Sequence, residues 1–96
     1  MQHTEIPIDS DLYELVPQFC DTRKKELAII EEHLNNKDFF KVARICHSVK
    51  GIAKPYGFPT LEKLFRELED MANAQDNLST KKQLALIRAY FEKYCV

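Results

Sequence analysis

The sequence of 96 residues has almost no net charge and contains only two glycines. Its 14 Lys and Arg residues nearly balance 15 Asp and Glu residues, which leaves a formal charge of -1 at pH 7. A chain without a global basic field has no long-range attraction for nucleic acid. The sequence also lacks a glycine-rich phosphate-binding loop, so it shows no motif that would bind ATP. These two absences disfavour a nucleic-acid-binding protein and an ATP-dependent kinase.

Cysteine is also scarce, with three residues at Cys20, Cys46 and Cys95. An odd number without paired spacing argues against a disulfide framework and predicts reduced thiols in a cytoplasmic protein. Cys20 and Cys46 fall at apolar helical positions, where we expect them to act as small core residues. Because the sequence has no Cys-x-x-Cys or His-x-x-x-His pattern, we expect no zinc site, and we expect no other cofactor.

The sequence lacks a long apolar run. No stretch approaches the roughly 18 apolar residues of a membrane span, and the polar, acidic amino end does not resemble a signal peptide. Apolar residues make up 45% of the chain and charged residues 30%, as in a soluble folded domain. We therefore expect one domain over residues 1–96, cytoplasmic and monomeric, with no membrane and no nucleic acid among its partners.

What the sequence does contain is helical periodicity. Apolar residues recur every three or four positions in four stretches, which is typical of amphipathic helices. The predicted helices span 17–35, 38–54, 59–74 and 80–94, with a short helix over 11–16 and a frayed lead-in over 1–8 before them. Short turns place successive helices antiparallel. The predicted fold class is all-α, an up-down-up-down antiparallel four-helix bundle with a short extra N-terminal helix.

Turn and cap residues mark the ends of these helices. Asn35 or Asn36 is suited to a left-handed conformation after the first long helix. Gly57 is suited to a positive φ after the second. Thr80 and Gln83 form the pattern of a capping box, which predicts the start of the last helix.

The second long helix carries the most informative surface. Its apolar stripe consists of Phe39, Val42, Cys46, Val49 and Ala53. His47 lies about 120° from the centre of that stripe, so we expect its ring to meet water. Arg44, Lys50 and Lys54 surround it with positive charge. Gly51, one turn along, has no side chain and leaves room for the backbone of another protein.

This grouping suggests chemistry with an anion, and a phosphoryl group on the ring is one candidate. A neutral imidazole nitrogen is nucleophilic near neutral pH and can form covalent intermediates, and Lys50, Arg44 and Lys54 would stabilise a phosphoryl group on it. Cys46 is the sequence neighbour of His47, but adjacent helical side chains diverge by about 100°, so a Cys-His pair is not supported. The alternative interpretation is a solvated histidine on a charged helix surface, which is the commoner case for spacing alone.

Phe40 and Ala43 lie on the same side of this helix as His47. An exposed aromatic side chain there would be an apolar anchor for a docking partner, in a strip completed by Ala43 and Gly51. The alternative for Phe40 is a peripheral core contact beneath the short first helix.

Residues 47–69 carry a long pattern of fixed spacing. The run His47-Ser48-Val49-Lys50-Gly51 is followed by Tyr56-Gly57-Phe58 and then by Leu61, Leu64, Leu68 and Glu69. This pattern resembles the signature of histidine-containing phosphotransfer (HPt) domains. The resemblance implies a helical bundle that carries a phosphoryl group on His47. The implied partner is the receiver domain of a response regulator or hybrid sensor histidine kinase, whose aspartate exchanges the phosphoryl group and which supplies Mg²⁺.

The resemblance also assigns roles to individual residues. Glu69 matches a glutamate that in some relatives bonds the phosphoacceptor ring, which would fix the tautomer and leave the other nitrogen free. The alternative for Glu69 is a surface ion pair. Among the three cations, Lys50 alone matches the family motif. Lys54 and Pro55 depart from the small residues usual in the family, and Pro55 should kink or end the helix.

Three hypotheses for function follow. The leading one is a phosphorelay intermediate that accepts and donates a phosphoryl group without being a kinase. The second is a non-catalytic helical docking module for a receiver or sensor kinase. The third and weakest is a metal-dependent enzyme that uses His47 and Glu69.

Overall fold

A computed structural model describes residues 4–95 of the chain, so His3 lies outside the described residues. A short 3₁₀ helix, Ser10–Leu15, precedes four α-helices: α1 (Val16–Asn35), α2 (Phe39–Lys50), α3 (Pro59–Asn73) and α4 (Asn77–Tyr94). Helix α1 packs on α2 and α4, and α3 packs on α2 and α4, which closes a four-helix bundle. The predicted all-α fold class is confirmed.

The core of the bundle is apolar and follows the predicted periodicity. On α2 and the turn after it, Val42, Cys46, Val49 and Ala53 are at most 1% exposed. They meet large side chains that are also fully buried, among them Ile30, Leu34, Phe58, Leu61, Phe65, Leu68 and Ile87. Each such side chain contributes roughly 1.5–3 kcal/mol by leaving water. Between residues 4 and 95, no helix combines the length and the apolar character needed to cross a membrane.

Helix α2 ends earlier than predicted. Its last residue is Lys50 and its C-cap is Gly51, whereas the sequence suggested that the helix continues to Lys54. Residues 51–57 form turns instead. The cause is Pro55, whose ring would clash with the carbonyl of the residue four positions earlier, which is Gly51. Gly51 is therefore at a helix end and not in mid-helix, so it carries none of the cost of an interior glycine.

Two other helix ends differ from the prediction. After α1, the residue with positive φ is Lys37, at 56°, and not Asn35 or Asn36. Helix α4 begins at Asn77, three residues before the predicted Thr80, because the side chain of Asp76 accepts a hydrogen bond from the backbone N–H of Ser79.

The predicted capping box at Thr80 and Gln83 is accordingly wrong. The Thr80 hydroxyl donates to the backbone oxygen of Asp76, at 2.6 Å. The Gln83 amide donates to the backbone oxygen of Leu64, at 2.9 Å, and so ties α4 to α3. Both side chains are buried, but the bond of Thr80 stays within the first turn of α4, and only Gln83 links two helices.

The described part of the lead-in, residues 4–8, is not frayed, and we call it the N-terminal strap. The backbone N–H groups of Glu5 and Ile6 donate to the carbonyl of Gly57, at 2.8 and 3.2 Å. Gly57 has the predicted positive φ, 91°. The Glu5 carboxylate accepts hydrogen bonds from the Thr60 backbone N–H at 2.9 Å, from the Thr60 hydroxyl, and from the Tyr90 hydroxyl at 3.1 Å. The strap therefore joins the turn after α2 to the start of α3 and the end of α4.

A disulfide joins Cys20 to Cys95, contrary to the expectation of reduced thiols. The two residues are 75 positions apart in sequence, with their Cα atoms 5.5 Å apart. No local sequence pattern predicts a pairing over such a distance. The two cysteines meet because the antiparallel bundle places the start of α1 beside the end of α4. Cys46 is a free, buried thiol, as predicted. Burial raises its pKa to about 12, so it stays a neutral core residue.

Candidate functional site

The ring of His47 lies on the solvent side of the last turn of α2. Its side chain is 71% exposed, as the helical geometry predicted. Because the buried stripe of α2 faces the core, the opposite face of the helix, which carries His47, is exposed to water. A molecule in solution can therefore reach His47 without any opening of the bundle.

Glu69 of α3 approaches this ring from one side. The His47 Nδ1 atom lies 3.0 Å from Glu69 Oε2, which is hydrogen-bond distance. A carboxylate only accepts, so the contact selects the tautomer with its hydrogen on Nδ1. Within residues 4–95, the other ring nitrogen, Nε2, has no hydrogen-bond partner. In the neutral ring with its hydrogen on Nδ1, Nε2 carries the free lone pair, on a side chain that is 71% exposed.

Lys50 binds the other oxygen of the same carboxylate. Its Nζ atom lies 2.5 Å from Glu69 Oε1, and the two side chains are 30% and 13% exposed. The hydrogen bond from Lys50 is the main cause that holds the pKa of Glu69 below its usual value, and the bond from His47 adds to it. Glu69 is thus an anion at neutral pH, shared between the imidazole and the ammonium group.

Phe40 and Arg44 lie together beside His47 on the surface of α2. Phe40 is 71% exposed, so its interpretation as a peripheral core contact is wrong. The Arg44 guanidinium lies over the Phe40 ring, 5.8 Å from its centroid, in a cation–π contact. The Phe40 ring therefore holds the Arg44 guanidinium in position, one turn before His47.

A shallow groove of about 380 Å³ lies along this face. Its lining residues are Phe40, Ala43, Arg44, His47, Ser48, Glu69 and Asn73. Ala43 is only 7% exposed, so the prediction of Ala43 as part of an exposed strip is wrong. The reason is its position near the seam with α3, where its small side chain forms the floor of the groove.

Sequence reasoning missed Ser48 and Asn73, which both line the groove. Asn73 follows Glu69 by four residues on α3, so the helical rule that residues four apart share a face would have found it. Ser48 gave no such signal, because a serine next to a histidine on a helix surface is unremarkable in sequence.

The turn after α2 carries the last two predicted site residues. Gly51 is exposed, and a Cβ built on it would meet only the backbone oxygen of Ser48, at 3.9 Å. Lys54 is exposed too, but it lies beyond the end of α2 and does not line the groove at His47. The prediction that Lys54 lies beside His47 on the same helix is therefore wrong. Gly51, in contrast, directly follows the last residue of α2.

A metal site would need ligands beyond His47 and Glu69. Within the described part of the chain, no three His, Cys, Asp or Glu side chains come together as a group that could hold a metal ion. Glu69 itself is already shared between His47 and Lys50.

A comparison with protein families identifies the family of this chain. The model of the Hpt domain matches residues 14–94, a range that contains His47, Lys50, Gly51 and Glu69. The chain belongs to the Hpt domain family. Hpt domains are phosphotransfer modules of two-component signalling, which work with receiver and kinase domains and lack kinase activity themselves. Neither the curated proteins nor the solved structures with which the chain was compared gave a match.

Proposed function

We propose that this Hpt domain is a phosphorelay intermediate whose phosphoacceptor is His47. The observation that carries the proposal is the bond between His47 Nδ1 and Glu69, on a ring that is 71% exposed. A histidine that is held at one nitrogen and open at the other has a defined nucleophilic atom, Nε2. A merely solvated surface histidine has no need of a largely buried carboxylate behind it.

The proposed transfer needs no proton to leave the ring. The Nε2 lone pair attacks the phosphorus of an aspartyl phosphate on a receiver domain, and an N–P bond forms. The P–O bond to the aspartate breaks, and its electron pair leaves with the aspartate carboxylate. The ring keeps its Nδ1 hydrogen and gains positive charge, which the Glu69 carboxylate stabilises. Mg²⁺ would be supplied by the receiver, and the reverse steps return the phosphoryl group to a second receiver.

Lys50 is the cation that we propose stabilises the phosphoryl group most strongly. Its ammonium has three donors, so it can keep Glu69 and still donate to a phosphoryl oxygen one helical turn away. Arg44 ranks second because its guanidinium is already held over Phe40. Lys54 ranks third, since it lies in the turn beyond α2.

Docking of the receiver is proposed to use the groove and its rim. Phe40 is the most exposed large apolar side chain of the described chain, and it would serve as the apolar anchor. Ala43 would line the floor, and Gly51 would allow close approach of the partner's backbone. We place this monomer in the cytoplasm. The expectation of reduced thiols no longer supports that location, which now rests on the relay chemistry, since histidine kinases draw on ATP.

The alternative is a docking module that binds a receiver or kinase without transfer. The exposure of Phe40 suits either function, because any partner of this face would use it. The two differ in whether His47 becomes phosphorylated.

Intact-mass analysis after incubation with phosphoramidate, a small phosphoryl donor, tests the proposal. We expect one acid-labile phosphoryl group on the wild type and none on His47→Gln, with an unchanged circular dichroism spectrum. His33→Gln is the matched control, since His33 is a partly exposed histidine on α1, and this variant should be labelled like the wild type. Unlabelled wild type with its fold intact would favour the docking module. Metal analysis of the purified protein tests the third hypothesis.

A further inference from the structure

Among the pairs of α-helices that pack together in the bundle, the first and last helices share the smallest contact. An open groove of about 350 Å³ lies along this seam, lined by Lys24, Leu27, Ala28, Arg88, Phe91, Glu92 and Cys95. The ion pair that crosses it, Arg88 with Glu31, is about half exposed on both sides. Exposed ion pairs contribute little because water and salt screen them. The exposed ion pair therefore does little to hold α1 and α4 together.

The disulfide is placed to do so. Cys20 lies in the second turn of α1, and Cys95 directly follows the last residue of α4. Both are at most 1% exposed, and their Cα atoms are 5.5 Å apart, inside the usual range for a disulfide. We propose that Cys20 and Cys95 form a reversible redox clasp that closes the α1–α4 seam when oxidised and releases it when reduced.

The chemistry balances with a low-molecular-weight disulfide such as oxidised glutathione as the oxidant. One cysteine thiolate attacks the glutathione disulfide and releases one glutathione, which leaves a mixed disulfide on the protein. The second cysteine thiolate displaces the other glutathione. The two protein thiols thus lose two electrons and two protons, and glutathione disulfide gains them. A dithiol reductant reverses both steps.

Cys46 is not a competing partner. It lies on α2 and is fully buried. Its pKa of about 12 keeps it a neutral thiol near pH 7, and a neutral thiol does not attack a disulfide. Cys95 differs because it stands beyond the end of α4 and lines the open groove, so the opening of a few residues gives an oxidant access to it.

The expected effect is on stability. The bond closes a loop across 75 positions of sequence, and long loops lose the most conformational freedom in the unfolded chain. For a domain of this size we expect the melting temperature to fall by roughly 10–20 °C on reduction. The seam is across the bundle from the α2–α3 face that carries His47, so phosphoramidate labelling of His47 should be the same in both redox states below the melting temperature. Failure of the clasp and failure of the phosphoacceptor assignment are therefore separate results.

The test uses the full chain after equilibration with oxidised glutathione or with dithiothreitol. Each sample is unfolded in the presence of N-ethylmaleimide, weighed intact, and melted in parallel. Of the three cysteines, we expect one to be alkylated after oxidation and three after reduction, with the melting temperatures separated as above. Cys95→Ser should abolish the separation, whereas Cys46→Ala, the control, should keep it even if both its forms melt lower.

Three alkylated cysteines after oxidation, or a lasting glutathione adduct, would overturn the proposal. So would a bond that forms without changing the melting temperature. If Cys95→Ser does not fold, the comparison of oxidised with reduced wild type still decides between these outcomes.

Discussion

On the α2–α3 face, an imidazole that is 71% exposed meets one carboxylate, and the charged groups around it remain in contact with water. At the α1–α4 seam, the two cysteines of the disulfide are at most 1% exposed. Beneath the N-terminal strap, Gly57 has no space around it for a side chain. We propose that the first region binds a partner and reacts, and that the second holds the bundle closed. Changes on the face should alter phosphoryl transfer at nearly constant stability, and changes to the closing contacts should do the reverse.

Gly51 and Gly57, six positions apart at the two ends of the turn after α2, test this difference between the two regions. Gly57 has φ of 91°, and a Cβ on it would lie 2.7 Å from Thr4 Cβ and 2.8 Å from Ile8 Cγ2, so Gly57→Ala would strain the backbone and push the strap away. We expect a loss of about 2–4 kcal/mol in the free energy of unfolding, measured by urea denaturation. Labelling of His47 by phosphoramidate should be unchanged in the folded protein.

Gly51→Ala is the matched control for that substitution. Gly51 has φ of -77° and open space where its Cβ would lie. Its stability should change by less than about 0.5 kcal/mol. Transfer from a phosphorylated receiver should nevertheless slow, because the added methyl group stands where the partner's backbone would approach. A large loss of stability in Gly51→Ala would break the division between the two regions.

Glu69→Gln sharpens the comparison on the face itself. The amide keeps the shape of the side chain but removes the charge that selects the Nδ1 tautomer and balances the phosphorylated ring. We expect the rate of His47 phosphorylation by phosphoramidate to fall about 10-fold, measured by intact mass against time. Equal rates for the variant and the wild type would show that Glu69 is only a surface ion pair.

The same carboxylate should give the protein an acid-dependent stability. The pKa of Glu69 is lowered in the folded state, chiefly by its hydrogen bond from Lys50. Its contribution is therefore present above the unfolded pKa near 4.5 and is lost as pH falls through the lower folded value. Denaturation of Glu69→Gln between pH 3 and pH 7 should show a weaker loss of stability towards acid than the wild type.

Phe40→Ala should have the smallest effect on the fold. The ring is 71% exposed and contacts Arg44, so its removal should change the free energy of unfolding by less than about 0.5 kcal/mol. Phosphoramidate labelling should be unaffected, while transfer from a receiver should need several-fold higher receiver concentrations. Unchanged receiver kinetics would remove Phe40 from the docking surface.

Local patterns predicted the face well. The exposure of His47 follows from the apolar stripe of a single helix, which shows which face is buried. Lys50, Gly51 and Glu69 lie within a single motif of fixed spacing. The errors there come from where a helix ends and how it packs. Pro55 ends α2 four residues before the predicted end, which moves Lys54 off the helix.

The closing contacts had no comparable signal. The disulfide joins residues 75 positions apart, and Glu5 bonds residues 55 and 85 positions away. Such pairings depend on which helices become neighbours and in what register, and neither periodicity nor spacing within one chain encodes that. Competing local signals account for other errors: Asp76 precedes Thr80 and caps α4 first.

The most direct test of the central claim is to find which nitrogen of His47 carries the phosphoryl group. Protein with ¹⁵N-labelled histidine, phosphorylated by phosphoramidate, would be studied by long-range ¹H–¹⁵N correlation and ³¹P NMR, with Glu69→Gln in parallel. We predict phosphorus on Nε2 and a hydrogen retained on Nδ1. A phosphoryl group on Nδ1 of His47 would contradict the account, because that atom is the one Glu69 holds.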